Sequence, residues 1–176
     1  MSNRVSIFKR AFVWLSRLHH TRGFGIQSPT DYAFVRYVVN EHWPYYAYDT
    51  LTDDDWLTQK LGRLYFRMAN WRQPARMVAD RYQKWWQAGC RKTQFVEHTE
   101  QVELARVDVA EHQQWQEVIS HSNSQSVLVV EGIHSDTTAW HDIMGNPRVG
   151  TTFDLYYCGI VFFDTQRYKH HYIINF

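Results

Sequence analysis

Hydrophobic positions change their rhythm near Gly89, from helical spacing before it to short apolar runs after it. Between Val5 and Leu18, the residues Val5, Phe8, Phe12 and Leu15 return every three or four positions, which predicts an amphipathic helix with Trp14, Lys9, Arg10 and Arg17 nearby. Ser28-Pro29-Thr30-Asp31 predicts a second helix start: Ser28 caps, Pro29 loses no needed hydrogen bond at the first helical position, and Asp31 completes a capping box. That helix runs to about Asn40. Thr52-Asp53-Asp54-Asp55 opens a third, whose Trp56, Leu57, Leu61, Leu64, Tyr65, Met68 and Trp71 share one stripe. Ala79–Gly89 is a bulky, helix-compatible run whose only glycine stands where a C-cap belongs.

Beyond Gly89 the pattern predicts strands at about 93–98 and 102–109, a helix at about 111–121, a strand at 126–131, a helix at about 136–144, and strands at about 149–156 and 159–164. Val127-Leu128-Val129-Val130 is continuously apolar, as a central strand covered on both faces should be. Thr151–Tyr157 and Ile160–Phe163 are separated only by Cys158-Gly159, which suits an antiparallel pair, and Tyr172-Ile173-Ile174 can extend that edge. Ser120–Ser126 reads as a polar loop. The expected division is residues 1–72 as a helical extension and 73–176 as an α/β domain, in one compact unit.

The 176 residues suffice for one sizeable core and are short for two. A net charge of +1 with interspersed signs argues against a long-range field for nucleic acid or anionic membrane. Cys90 and Cys158 have neither CxxC nor metal spacing, and Lys9, Arg10 and Arg17 break the first apolar run, so a reduced, cytoplasmic protein without a cleavable signal is expected. No stretch is apolar enough for a membrane span. The first helix is expected to pack on its own domain or on a second subunit rather than on a membrane surface.

Particular segments carry a resemblance. Val127–His134, Pro147-Arg148-Val149 and Gly159–Phe163, together with His20–Pro29, Pro44-Tyr45-Tyr46-Ala47-Tyr48, Gly62–Arg67 and Asn70, are similar to corresponding pieces of class I S-adenosylmethionine-dependent methyltransferases, in particular a bacterial O-methyltransferase-like group. The resemblance covers roughly residues 20–75 and 126–176. It implies an α/β fold: a truncated, Rossmann-like sheet with helices on both faces, closed by an antiparallel pair and preceded by the helical extension. The family's cofactor loop needs glycines for close backbone approach and a positive-φ turn, and Ala79–Gly89 cannot build one. S-adenosylmethionine is therefore not expected to bind in the usual mode, and no cofactor is expected.

The resemblance also assigns roles. Glu97, at the end of the second strand, stands where the family's acid holds the cofactor ribose. Glu131 retains one of two acids over the methyl-transfer pocket, Gly132 replaces the other, and His134 has the chemistry of a general base. Arg22, Gly23, Gly25 and Ser28 form a Gly-x-Gly turn leading into a helix start, able in principle to hold an anion or substrate. Glu117 with His121, and His134 with His141, lack a third ligand at metal spacing, and consecutive aspartates at a helix start serve the helix dipole. No metal site is expected. The leading expectation is a non-catalytic, contact-making protein, with Trp85-Trp86 and the Phe8-Phe12-Leu15 face packing on a partner or on a second copy. The alternatives are an active methyltransferase with a rebuilt cofactor pocket, or a small-ligand module around Glu131 and His134.

Overall fold

A computed structural model describes residues 5–53, 55–98, 100–166 and 168–176, and the chain divides into two units. The helical unit contains the described residues up to Gln73, with Tyr82–Thr93 and Asn175–Phe176. Its first helix, α1 (Ile7–Ser16), begins where the Ser6 hydroxyl accepts the Lys9 amide at 3.2 Å. A short 3₁₀ turn, Leu18–His20, follows. The predicted second helix is α2 (Pro29–Phe34) continued by a π-helical turn, Val35–Val39, and the Ser28 hydroxyl caps it by accepting the Asp31 amide at 3.3 Å. After the short α3 (Ala47–Thr50) comes the long α4 (Trp56–Arg72).

The aspartates before α4 act as expected of a helix start. Asp55 accepts the Thr58 amide at 2.8 Å, and Asp53 accepts the Asp55 amide at 3.0 Å; Asp54 lies outside the described residues. Burial along α4 is broader than the single predicted stripe, since Gly62, Phe66 and Arg67 are buried along with Leu61, Leu64 and Tyr65. The helix expected over Ala79–Gly89 starts only at Gln83 and forms α5 (Gln83–Gly89). Trp85 and Trp86 are both fully buried, Trp86 stacked 4.4 Å from Tyr65. Trp85 lies against α4 at Gly62, where any side chain would run into its indole. The two tryptophans are therefore core, which corrects the expectation that they face a partner. The Phe8-Phe12-Leu15 face of α1 does stand in solvent.

The second unit, Pro74–Arg81 with Gln94–Ile174, is α/β and Rossmann-like. Its strands are β1 (Arg76–Val78), β2 (Gln94–Phe95), β3 (Val102–Asp108), β4 (Ser122–Glu131), β5 (Thr151–Asp154), β6 (Cys158–Phe162) and β7 (His170–Ile173), with α6 (His112–Ser120) and α7 (Thr137–Gly145) between them. They form one mixed sheet in the order β2-β1-β3-β4-β6-β5-β7. β1, β2, β3 and β4 run parallel, β6 is antiparallel to both β4 and β5, and β7 adds a parallel edge to β5.

Alternation sorts the side chains of this sheet. Ala105, Val107, Leu128, Val130 and Val161 point to one face and pack with Val118 and Ile119 of α6 and Trp140 and Ile143 of α7. Leu104, Arg106 and Asp108, in register with Val127, Val129 and Glu131, belong to the other face. β4 begins at Ser122, five residues before its apolar run at Val127. Ser122 pairs with Val102, and the Ser126 hydroxyl donates to the Val102 carbonyl while accepting the Asn123 amide, so hydroxyls satisfy backbone groups where the ladder is irregular. The expected Ser120–Ser126 loop is thus largely strand.

Candidate functional site

In a parallel sheet whose chain leaves β1 for β2 on one side and returns to β3 on the other, the crevice outside the carboxyl ends of β1 and β3 is the place for a ligand. Here the chain sets an ion-pair cluster at the ends of these strands. Arg106, fully buried on β3, donates from Nε to Glu131 Oε2 at 2.8 Å, from Nη2 to the same oxygen at 2.5 Å, and from Nη1 to Asp80 Oδ1 at 2.7 Å. Asp108 Oδ2 lies 3.9 Å from Nη2, and Arg81 Nη1 lies 3.7 Å from Glu131 Oε1. Asp80 and Arg81 follow β1 after the single residue Ala79.

The cluster sets Arg81 and Arg106 against Asp80, Asp108 and Glu131. A guanidinium buried this deeply loses several kcal/mol of hydration, on the order recovered only with good hydrogen-bonded partners; Arg106 has them. Glu131, itself 8% exposed, is committed to guanidinium donors rather than turned to a substrate. His134 takes different partners. It sits in the turn after β4, its ring stacked 4.9 Å from Tyr156 and edge-on to Tyr157 at 5.8 Å. The expected acid–base pair is thus split between an ion-pair cluster and an aromatic one.

Glu97 follows β2 and is exposed. It borders a cavity of about 30 Å³ with Val78, Val102, Gln114 and His121, in which His98 Nδ1 meets Glu117 Oε1 at 2.9 Å. That space holds a water or two and not a nucleoside.

In the helical unit, Arg22, Gly23 and Gly25 all have positive φ, at 57°, 79° and 85°, and shape a double turn. Its amides serve the chain: Phe24 donates to the Thr21 carbonyl at 3.2 Å and Ile26 to the Gly23 carbonyl at 3.1 Å. Ser28 is occupied as the cap of α2. Two amides of the turn are thus engaged by the chain itself, and Arg22 borders a cleft of about 380 Å³ with Arg36, Tyr37, Asn40, His42 and Trp43.

A neighbouring cleft of about 240 Å³ shares Asn40, Glu41 and His42 and is completed by Trp56, Lys60, Arg63 and Arg67 of α4. Sequence reasoning placed Trp56 on the apolar stripe of α4 and, following that stripe, gave Lys60, Arg63 and Arg67 no role in a site. The signal was present: 56, 60, 63 and 67 follow one another at four, three and four residues, which puts them on one helix face. Arg67 is 7% exposed and donates to the Val38 carbonyl at 2.6 Å, the Val39 carbonyl at 2.9 Å and the Tyr48 hydroxyl at 3.4 Å. Glu41 accepts the Tyr45 hydroxyl at 2.8 Å. Burial first, then that carboxylate, push the Tyr45 hydroxyl up to about 12.

Among the described residues, no group of His, Cys, Asp and Glu side chains could hold a metal ion, and no helix is long and apolar enough to cross a membrane. Comparison with protein-family models, with curated proteins and with solved structures returned no match for this chain.

Proposed function

We propose that the α/β unit is a methyltransferase-like fold that has lost cofactor binding, and that the protein acts without catalysis, through contacts with a second copy of itself. The observation that carries the non-catalytic reading is Arg106. Its ion pairs with Asp80 and Glu131 occupy the sheet-end crevice in which a class I methyltransferase would hold its cofactor. The antiparallel β6 between β4 and β5 agrees with the closing pair that the resemblance implies.

The contact surface in this reading is α1. Ile7, Phe8, Phe12, Trp14, Leu15 and Leu18 are between 47% and 88% exposed. Helical spacing puts them on one broad face, with Val13 opposite and buried. Arg10 is turned away from that face, its guanidinium 4.3 Å over the Trp56 ring. Such a face has little to offer an anionic lipid and much to offer a copy of itself. Six side chains of this size and exposure present on the order of 800 Å², about what one partner contributes to a standard interface.

Titration calorimetry with S-adenosylmethionine tests the first half: no saturable heat is expected, and micromolar binding that Glu97→Ala abolishes would favour the active-enzyme alternative. Light scattering tests the second. A dimer is expected for the wild type and a folded monomer for Phe8→Asp/Phe12→Asp; a wild-type monomer at high concentration would remove the contact reading.

A further inference from the structure

Arg67 is a buried cation whose acceptors, among the described residues, are all uncharged. Among the described residues no carboxylate lies within ion-pairing distance of it; its acceptors are two backbone carbonyls and a phenol. Removing a guanidinium from water without a counter-charge is among the costliest arrangements a fold can hold. A second incomplete group stands beside it. The Asn40 side-chain Nδ2 is buried, the residue being 8% exposed, and has no hydrogen-bond acceptor. Both line the cleft of about 240 Å³, and both want the same thing, an acceptor bearing negative charge.

The remaining wall defines that acceptor more closely. Lys60 and Arg63 bring two further cations from the same face of α4, while among the described residues Glu41 is the one acid in the lining. Three cations against one carboxylate leave a local charge of about +2, which a carboxylate would halve and a phosphate monoester, carrying about −1.5 to −2 near neutrality, would balance. Guanidinium and ammonium donors converging from one helix face are also the usual means of holding phosphate oxygens. The Trp56 and Phe176 rings, with Lys60 Nζ 5.4 and 4.2 Å from their centroids, add an apolar flank for whatever carries the phosphate.

We propose that this cleft binds the phosphate group of a small phosphate monoester, held by Arg67, Arg63, Lys60 and the Asn40 amide. The site lies wholly within the helical unit and is independent of the fate of the cofactor crevice. It differs from the Gly23–Ser28 turn in using side-chain cations rather than backbone amides.

Calorimetry with phenyl phosphate, inorganic phosphate and benzoate tests the assignment on the full chain. Phenyl phosphate is expected to saturate and to bind at least about tenfold tighter than benzoate, with inorganic phosphate between them. Arg63→Gln and Lys60→Gln, at positions that are not core, should each weaken phenyl phosphate on the order of tenfold while leaving the thermal midpoint unchanged. The Asn40 side-chain amide resonances should move along the same titration. No saturation at about 10 mM phenyl phosphate, equal binding of benzoate, or affinity indifferent to both substitutions would each overturn the proposal.

Discussion

Two arginines, each almost entirely withdrawn from water, mark the difference between the two units. Arg106 on β3 meets Asp80 and Glu131 at hydrogen-bonding distance, so its charge is answered by acids of its own unit. Arg67 on α4 meets, among the described residues, neutral oxygens. Equal burial with unequal neutralisation teaches which region is complete. The sheet end answers its buried cation with its own acids; the helical cleft has collected positive charge and, among the described residues, left an amide without an acceptor.

The largest test of that contrast is Arg106→Met. It leaves Glu131, a buried carboxylate, with the more distant Arg81 guanidinium at 3.7 Å in place of two short hydrogen bonds, and should lower stability by about 3–5 kcal/mol in urea unfolding. Arg106→Met/Glu131→Leu removes both ions together and should recover most of the loss. A single substitution costing as little as the double one would mean that the pair is not the buried network described. Arg67→Met should cost less, about 1–3 kcal/mol, because it leaves carbonyls without donors but strands no charge. It should also abolish the rise in thermal midpoint that phosphate gives the wild type. A loss as large as that of Arg106→Met would erase the contrast.

Acidity sharpens the comparison from another side. The raised pKa of Tyr45 favours the neutral phenol in the folded state, so its contribution is complete below the ordinary value of 10.0 and is lost as pH rises through about 12. Tyr48 is raised as well, chiefly by burial. In the α/β unit, His171 is lowered from 6.5, first by burial and then by Lys169 and His170, with its Nδ1 2.7 Å from the Thr152 hydroxyl. A lowered histidine has the opposite sign: its contribution is present above 6.5 and lost as pH falls. Amide exchange should therefore loosen β5 and β7 first under mild acid and the region around Tyr45 and α4 first in alkali. His171→Asn and Tyr45→Phe should flatten the respective limbs. The smallest expected effect is at Glu97, exposed and beside a cavity of water size, where Ala should change stability by no more than about 0.5 kcal/mol.

Much of the α/β unit was legible in the sequence because its signals are local. The apolar run of β4 and the short link between β5 and β6 each demand a particular backbone, and strand and helix order follow from them. The cap at Ser28 and those at Asp53 and Asp55 were equally readable, since a hydroxyl or carboxylate reaches an amide only two or three residues away. The candidate site was less legible. Glu131 and His134 are three residues apart, yet their side chains enter different surroundings, because a turn after a strand aims neighbours in unrelated directions. Trp85 and Trp86 looked like interface by their size, and the fit of Gly62 against the Trp85 indole makes them core.

By itself the sequence determined the strand and helix order, the caps and the absence of a glycine-rich loop after β1, all consequences of residues close together in the chain. Only the tertiary structure decided that Arg106, twenty-five residues before Glu131 and twenty-six after Asp80, pairs with both, and that among the described residues Arg67 meets no acid and the Asn40 amide no acceptor. Charge balance in a buried site is a property of what surrounds a side chain in three dimensions. Arginines alike in sequence thus become a closed ion-pair centre in one unit and an open cationic cleft in the other.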